Sequence, residues 1–149
     1  MRAVVQRARR ARVEVGGEIT GAIERGLVAF VGAAEGDGDA DLAYLVNKVV
    51  GLRVFPDEEG KMRRALADVG GGLLVISQFT LFGDVRRGNR PSFDGAMEPK
   101  EAERMYERFV AEARARGLPV ETGRFRAEMT VHVENDGPVT ILIDSRKLF

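Results

Sequence analysis

Few side chains in this sequence are equipped for chemistry, and they fall in two short stretches. There is one histidine, His132, and no cysteine. Thiolate nucleophiles and disulfides are excluded, and a serine triad would have to be built on that single imidazole. His132 falls mid-strand on the face opposite Met129, among charged neighbours, and reads as a solvent-facing histidine without a role. One histidine without cysteine also makes a poor zinc set. Gly70-Gly71-Gly72 precedes an apolar strand rather than a helix, so it is not a phosphate loop. No pair of carboxylates has a spacing suited to acid–base work. What remains first is Ser77, Gln78 and Thr80, interleaved with Phe79, Leu81 and Phe82 at the end of the apolar run Leu73–Ile76. In a strand, Ser77 and Phe79 point one way and Gln78 and Thr80 the other. Hydroxyls and an amide at the end of a buried strand either find hydrogen-bond partners or face a cavity, and residue types leave both open.

The second stretch is Gly137-Pro138, within Asn135-Asp136-Gly137-Pro138, read as a turn between two apolar segments. Proline fixes its own φ, and glycine before it reaches conformations closed to other residues. Such a turn presents backbone carbonyls outward at a fixed angle. A plain trans turn and a cis Gly–Pro bond both fit the dipeptide.

The elements that must position these residues can be read from periodicity. Leu73–Ile76, bounded by glycine, suits a strand covered on both faces. Before it, Arg2–Gln6, Ala11–Val15, Glu18–Ile23 and Leu27–Val31 read as short antiparallel strands in a meander, with Gly16-Gly17 as a two-residue hairpin loop. Leu42, Leu45, Val46 and Val49 predict a helix, capped by Asp37 or Asp39 and stopped at Gly51. Leu52–Phe55 reads as a short strand ended by Pro56, and Asp57–Gly60 as a turn. Lys61–Asp68 is either extended or a short helical turn. Pro99 opens a second helix whose apolar face is Ala102, Met105, Phe109 and Ala113, ended by Gly117. Leu118–Glu121, Ala127–Glu134 and Val139–Asp144 complete the strands. The expected fold class is α/β with α+β-like character: a largely antiparallel, barrel-like sheet with two main helices packed on it.

At 149 residues the chain is long enough for one domain with a real core. No apolar run approaches the length of a membrane span. The N-terminal residues lack the apolar core of a signal peptide, so the expected setting is cytoplasmic. The formal net charge is zero, but the charges are clustered. Arg2, Arg7, Arg9, Arg10 and Arg12 form one basic group, Lys61, Arg63 and Arg64 a second, and Arg86, Arg87 and Arg90 a third. A nucleic-acid partner would require such groups on one face. The alternative is that these arginines pair with the many glutamates.

Ser77-Gln78-Phe79-Thr80-Leu81, followed by Asn135-Asp136-Gly137-Pro138-Val139-Thr140, resembles the two signature motifs of the D-aminoacyl-tRNA deacylase family. The opening Met1–Arg7, Gly60-Lys61-Met62 and Gly88-Asn89-Arg90-Pro91-Ser92-Phe93 look similar too, so the likeness covers essentially residues 1–149. The resemblance implies a homodimeric hydrolase acting on D-aminoacyl-tRNA and glycyl-tRNA, with no cofactor, metal, membrane or DNA partner. It implies a cis Gly137–Pro138 bond whose motif enters the partner subunit's pocket and excludes L side chains. Ser77, Gln78, Phe79 and Thr80 would form the pocket for the aminoacyl end, supported by Met129 and Arg7. Hydrolysis would then rest on the activated ester, the ribose 2′-hydroxyl and backbone N–H groups near Phe79 or Thr80. Thr80 is the rival as a nucleophile, without an evident base. The chain departs from the family in one place, with Phe125-Arg126-Ala127-Glu128-Met129 where Phe-Gly-Ala-Asp-Met is expected. Two other readings stand beside this one: a non-catalytic module that holds an aminoacyl end, and a paralogue with altered preference, for which Arg126 is the hint.

Overall fold

The computed structural model describes all 149 residues. Its spine is β1, Arg2–Val15, one unbroken strand of 14 residues where the sequence suggested two. The charged stretch Arg7–Arg10 does not break it, because its side chains find acids on a neighbouring strand. Gly16-Gly17 turns the chain into β2, Glu18–Ile23, and β3 follows at Gly26–Gly32. β2 and β3 do not continue as a meander. Both pair antiparallel with the same side of β1, β3 along Arg2–Ala8 and β2 along Ala11–Val15.

α1, Asp39–Val50, buries Leu42, Leu45, Val46 and Val49 and ends at Gly51, as the periodicity required. Its cap differs. Gly38 is the capping residue, and its N–H donates to Asp41 Oδ2 at 2.9 Å. Asp37 is turned inward instead, accepting from the Ala34 N–H at 2.6 Å and pairing with Arg146 at 2.9 Å. Of Leu52–Phe55 only Phe55 enters a strand: β4, Phe55–Pro56, pairs with β5, Met62–Arg64, in a small hairpin. A 3₁₀ turn at Ala67–Val69 then leads to β6, Gly72–Ser77.

β6 lies parallel to β3 on one side and to β7, Val120–Thr122, on the other. α1 and α2, Pro99–Ala115, fall in the connections that make those parallel pairings possible. The sheet is therefore mixed, its antiparallel half organised by β1 and its parallel half by β6. Gly21 of β2 lies so close to Thr122 of β7 that a Cβ would overlap its carbonyl oxygen, which brings the two ends of the sheet together and nearly closes the barrel. Both faces of β6 are covered. Leu73 and Val75 join the large core beneath the helices, and Leu74 and Ile76 join a smaller one with Val13 and Val28.

β8, Thr130–Asp144, replaces the two strands and turn read at the C-terminal end. It runs antiparallel to β1 along nearly its whole length. The residues Asn135–Pro138 are thus an interruption within one strand and do not reverse the chain.

On α2, Tyr106 is buried beside Phe109, and its hydroxyl donates to the Val75 carbonyl at 2.9 Å. Burial pushes the phenol up to about 12. An unfolded phenol titrates near 10, so this contribution is fully present below pH ~10 and is lost as pH rises towards 12. Tyr106→Phe should cost about 1 kcal/mol at pH 8 through the lost hydrogen bond. That gap should narrow by about 1 kcal/mol at pH 11, as read by urea unfolding of both proteins at the two pH values. A gap independent of pH would show that the phenol is not held neutral.

Candidate active site

The strand β6 ends sooner than the polar pattern suggested. Ser77 is its last residue, and Phe79–Phe82 form a 3₁₀ turn. The alternation expected of Ser77–Thr80 therefore fails at Gln78, whose N–H still donates to the Val31 carbonyl at 2.8 Å. The turn has a chemical consequence. The first N–H groups of a helical turn have no intrahelical acceptor, and here those groups belong to Phe79 and Thr80.

This turn forms one rim of a cavity of about 660 Å³, bounded also by Phe93, Met97, the start of α2 and the segment 125–131. Ser77, Gln78, Phe79 and Met129 line it, so the structure gathers four residues singled out from sequence. Thr80 sits exposed at the rim, and its hydroxyl accepts from Gln78 Nε2. No general base reaches it. Phe79 is 57% exposed, unusual for so large an apolar side chain, and stands edge-on to Phe93 with ring centroids 5.0 Å apart. The pair is an aromatic shelf of the kind on which a base can stack.

The cavity is poor in titratable groups. Glu98 is committed to α2, where its carboxylate caps the Lys100 and Glu101 N–H groups at 3.1 and 3.3 Å. The Tyr106 hydroxyl is engaged with Val75. His132 lies outside, with Nε2 3.3 Å from Glu14 Oε1 but not aligned for a hydrogen bond. No group of three His, Cys, Asp or Glu side chains converges anywhere to hold a metal ion.

Arg7, Gly137 and Pro138 form a second cluster that does not line this cavity. Its geometry follows from strand register. Gln6 pairs with Thr140, and Ala8 pairs with Asn135. One residue of β1, Arg7, therefore faces the four residues Asp136–Val139, and the surplus is forced out of the sheet. The base of this bulge is stapled by side chains. Asn135 Nδ2 donates to Thr140 Oγ1 at 3.1 Å, and Asn135 Oδ1 accepts from the Val139 N–H at 3.1 Å. Arg7 lies beneath, its side chain 12% exposed, with Nε donating to the Asp136 carbonyl at 3.2 Å and Nη1 to the Val54 carbonyl. Gly137 has φ +126°, and a Cβ there would approach Val139 Cγ2 to 2.8 Å and Arg7 Nη2 to 3.1 Å. The Gly137–Pro138 bond is cis, and both residues are exposed.

Comparison with known proteins places this arrangement. Residues 4–144 match the family model described as D-Tyr-tRNA(Tyr) deacylase. The chain belongs to the D-aminoacyl-tRNA deacylase family. A D-aminoacyl-tRNA deacylase of Sorangium cellulosum is 74% identical, with the whole of both chains covered. One from Symbiobacterium thermophilum is 59% identical over 100% of this chain and 99% of that protein. A solved structure titled "c-Myc DNA Unwinding Element Binding Protein" is 42% identical, with a TM-score of 0.91 over 97% of this chain and 98% of that one. A probable eukaryotic D-amino acid tRNA deacylase, 18% identical, shares the fold at a TM-score of 0.79 over 96% and 98% of the two chains. The activity is that of a deacylase, a hydrolase acting on D-aminoacyl-tRNA.

Within a deacylase, Arg126 stands out. It occupies the position where the family resemblance leads one to expect glycine, and its φ is +60°. The backbone here keeps the left-handed conformation glycine would supply, although the residue carries a side chain. Arg126 lines the mouth of the cavity and has no ion-pair partner. Sequence reasoning missed Tyr106, Phe93 and Phe125 as cavity walls, because Tyr106 has core spacing on its helix and the two phenylalanines lie outside any periodic element. It also missed Val54 as the second anchor of Arg7.

Left-handed backbone costs a non-glycine residue about 1–2 kcal/mol, and glycine itself carries an entropy cost of about 0.5–1 kcal/mol. Arg126→Gly should therefore stabilise the protein by up to about 1 kcal/mol, whereas Arg126→Ala, which keeps a Cβ, should gain nothing. Denaturant unfolding of the three proteins checks this; equal gains for both variants would assign the effect to the guanidinium rather than the backbone.

Proposed function

We propose that this deacylase removes D-amino acids from tRNA, and glycine likewise, while rejecting L-aminoacyl-tRNA by means of Gly137–Pro138 delivered from a second subunit. The observation that carries this reading is the separation of the two clusters. The chain's own cavity lies apart from Gly137 and Pro138, yet those residues are held on a stapled bulge and exposed. A rigid, exposed pair of carbonyls suits insertion into the cavity of another copy. There the carbonyls would hold the substrate ammonium and fill the space an L side chain needs. A D side chain, projecting the other way, would escape the clash, and glycine has nothing to exclude. Rejection by clash tolerates many D side chains, as a proofreading enzyme requires.

The chemistry asks little of the protein. An aminoacyl ester is already activated. Water adds to its carbonyl carbon with the vicinal 2′-hydroxyl assisting, the carbonyl oxygen gains negative charge, and the bond to the ribose 3′-oxygen breaks as that oxygen takes a proton. The N–H groups of Phe79 and Thr80 are suited to the developing oxyanion. Phe79 and Phe93 offer a shelf for the terminal adenine. Thr80 serves as part of the rim, since its hydroxyl is bound by Gln78 and lacks a base. A cytoplasmic setting suits a translation substrate.

The 42%-identical DNA unwinding element binding protein suggests a second reading, binding of a DNA element without catalysis. The chain's first two basic clusters are paired with acids, which leaves little continuous positive surface for a duplex backbone.

The test is hydrolysis of matched D- and L-tyrosyl-tRNA by the purified protein. We expect rapid loss of the D ester with the L ester intact. Thr80→Ala should retain most of the activity. Gly137→Ala, which puts a Cβ against Val139 and Arg7 at a left-handed φ, should narrow the D-over-L ratio about tenfold or more. Equal loss of both esters by the parent protein would retain an esterase and sink the filter. Protection of both would favour the binding module.

A further inference from the structure

We propose that the depression formed by Arg86, Arg87, Arg90 and Ser92 is a phosphate subsite that takes one backbone phosphate of the single-stranded 3′ tail of tRNA. The inference rests on the tRNA reading above and adds to it where the RNA backbone is held.

The argument begins with an accounting of arginines. In the first basic cluster Arg2 pairs with Asp144, Arg7 and Arg9 with Asp136, Arg10 with Glu134 and Arg12 with Glu14. In the second, Lys61 pairs with Glu59, Arg63 with Asp57 and Arg64 with Glu58. The third differs. Arg86 is bound to Asp84 through Nε and Nη2, but Arg87 and Arg90 make no ion pair and no side-chain hydrogen bond. They are the two guanidinium groups of the three clusters left free for an outside anion.

Their setting is concave. With Asp84, Ser92 and Asp94 they line a depression of about 490 Å³ that no hydrophobic residue borders. The loop bearing them is pinned at its neck, where Asp84 N–H donates to the Ser92 carbonyl at 2.7 Å and Ser92 N–H to the Asp84 carbonyl at 2.9 Å. The Ser92 hydroxyl accepts from the Asp94 N–H at 3.3 Å and keeps its own proton to donate. Asp84 is already bound by Arg86, whose hydrogen bonds hold its carboxyl well below the usual carboxylate range. This leaves Arg87 and Arg90 against Asp94, a local charge of +1, matched to a single phosphodiester. Guanidinium groups bind phosphate oxygens with a fork geometry that ammonium lacks.

Position supplies the link to the substrate. Ser92 and Asp94 face this depression, while Phe93 between them faces the aminoacyl cavity and meets Phe79. One short segment thus separates the two sites. An RNA tail whose terminal adenine rests on the Phe79–Phe93 shelf would run its preceding phosphates past this segment towards the depression.

The probe is a labelled, unacylated tetraribonucleotide ending in CCA, titrated by fluorescence anisotropy across a salt series. Arg87→Ala/Arg90→Ala should weaken binding about tenfold and flatten the log–log salt slope by about 0.7, the value for one single-strand phosphate. Asp94→Asn should tighten binding, an effect that misfolding cannot imitate. Arg63→Ala, which removes an already paired arginine, should bind as the parent does. Unchanged binding by the double variant, or an unchanged slope, overturns the subsite. So does competition by inorganic phosphate that is equal for the parent and the double variant. Dependence on Arg87 and Arg90 in a protein that fails to deacylate tRNA would support the subsite and sink the enzymatic reading; deacylation with no such dependence would sink the subsite alone.

Discussion

Strand β1 can accept β8 only in one register, and most of what is distinctive in this molecule follows from that constraint. The pairings are fixed on both sides of Arg7, Gln6 to Thr140 and Ala8 to Asn135. A strand pair cannot absorb four residues against one, so Asp136–Val139 must leave the sheet as a bulge. Asn135 and Thr140 close the base, and Gln6 joins them from β1 by donating to Thr140 Oγ1 at 3.2 Å. The carbonyls left without sheet partners at Asp136 and Val54 are both met by Arg7. The motif Asn-Asp-Gly-Pro-Val-Thr is thus a set of requirements for one bulge: an amide and a hydroxyl to staple it, and a glycine where a Cβ would strike Val139.

The cavity obeys a different constraint. It forms where a fully buried parallel strand ends, and its walls are supplied by the connections that the parallel arrangement needs. β6 must be followed by a crossover before β7, and that crossover runs through the loop 83–98 and α2. Its aromatic residues line the space opposite Ser77 and Gln78. Because the strand end is wrapped by apolar connections, charge is scarce there. A site with little charge suits a reaction whose substrate carries its own activation, and it leaves recognition to shape. The two constraints meet in the proposed dimer, where the bulge of one subunit would complete the cavity of the other.

The sequence made the buried strand, both helices, their apolar faces and most glycine boundaries legible, because each rests on local spacing. It failed where partners distant in sequence decide the outcome. β1 reads as two strands because Arg7, Arg9 and Arg10 look like a break; only the acids of β8 make a continuous strand affordable there. Asn135–Pro138 reads as a turn for the same reason, since nothing local says that the chain goes on in the same direction. Asp37 looks like a helix cap, but its buried carboxylate meets the Met1 ammonium, the Ala34 N–H and Arg146, far along the chain, instead. The site motifs were found by likeness to a family, not by their chemistry: Gln78 and Thr80 bind each other, and neither has the signature of a catalytic group. Arg126 was visible as a departure, but its left-handed backbone required the structure.

A net charge of zero has its own logic for an enzyme whose substrate is an aminoacyl-tRNA. Strong, unpaired basic surfaces bind any nucleic acid and hold it, since phosphate contacts give affinity without sequence information. Pairing most arginines internally removes that hazard while still using them to rigidify β1 and β8. Arg9 and Arg10 pair with Asp136 and Glu134 of the bulged strand, close to the motif whose rigidity the proposed selection against L substrates requires. In the proposed subsite Arg87 and Arg90, left unpaired beside the cavity, would act locally on the end of the RNA.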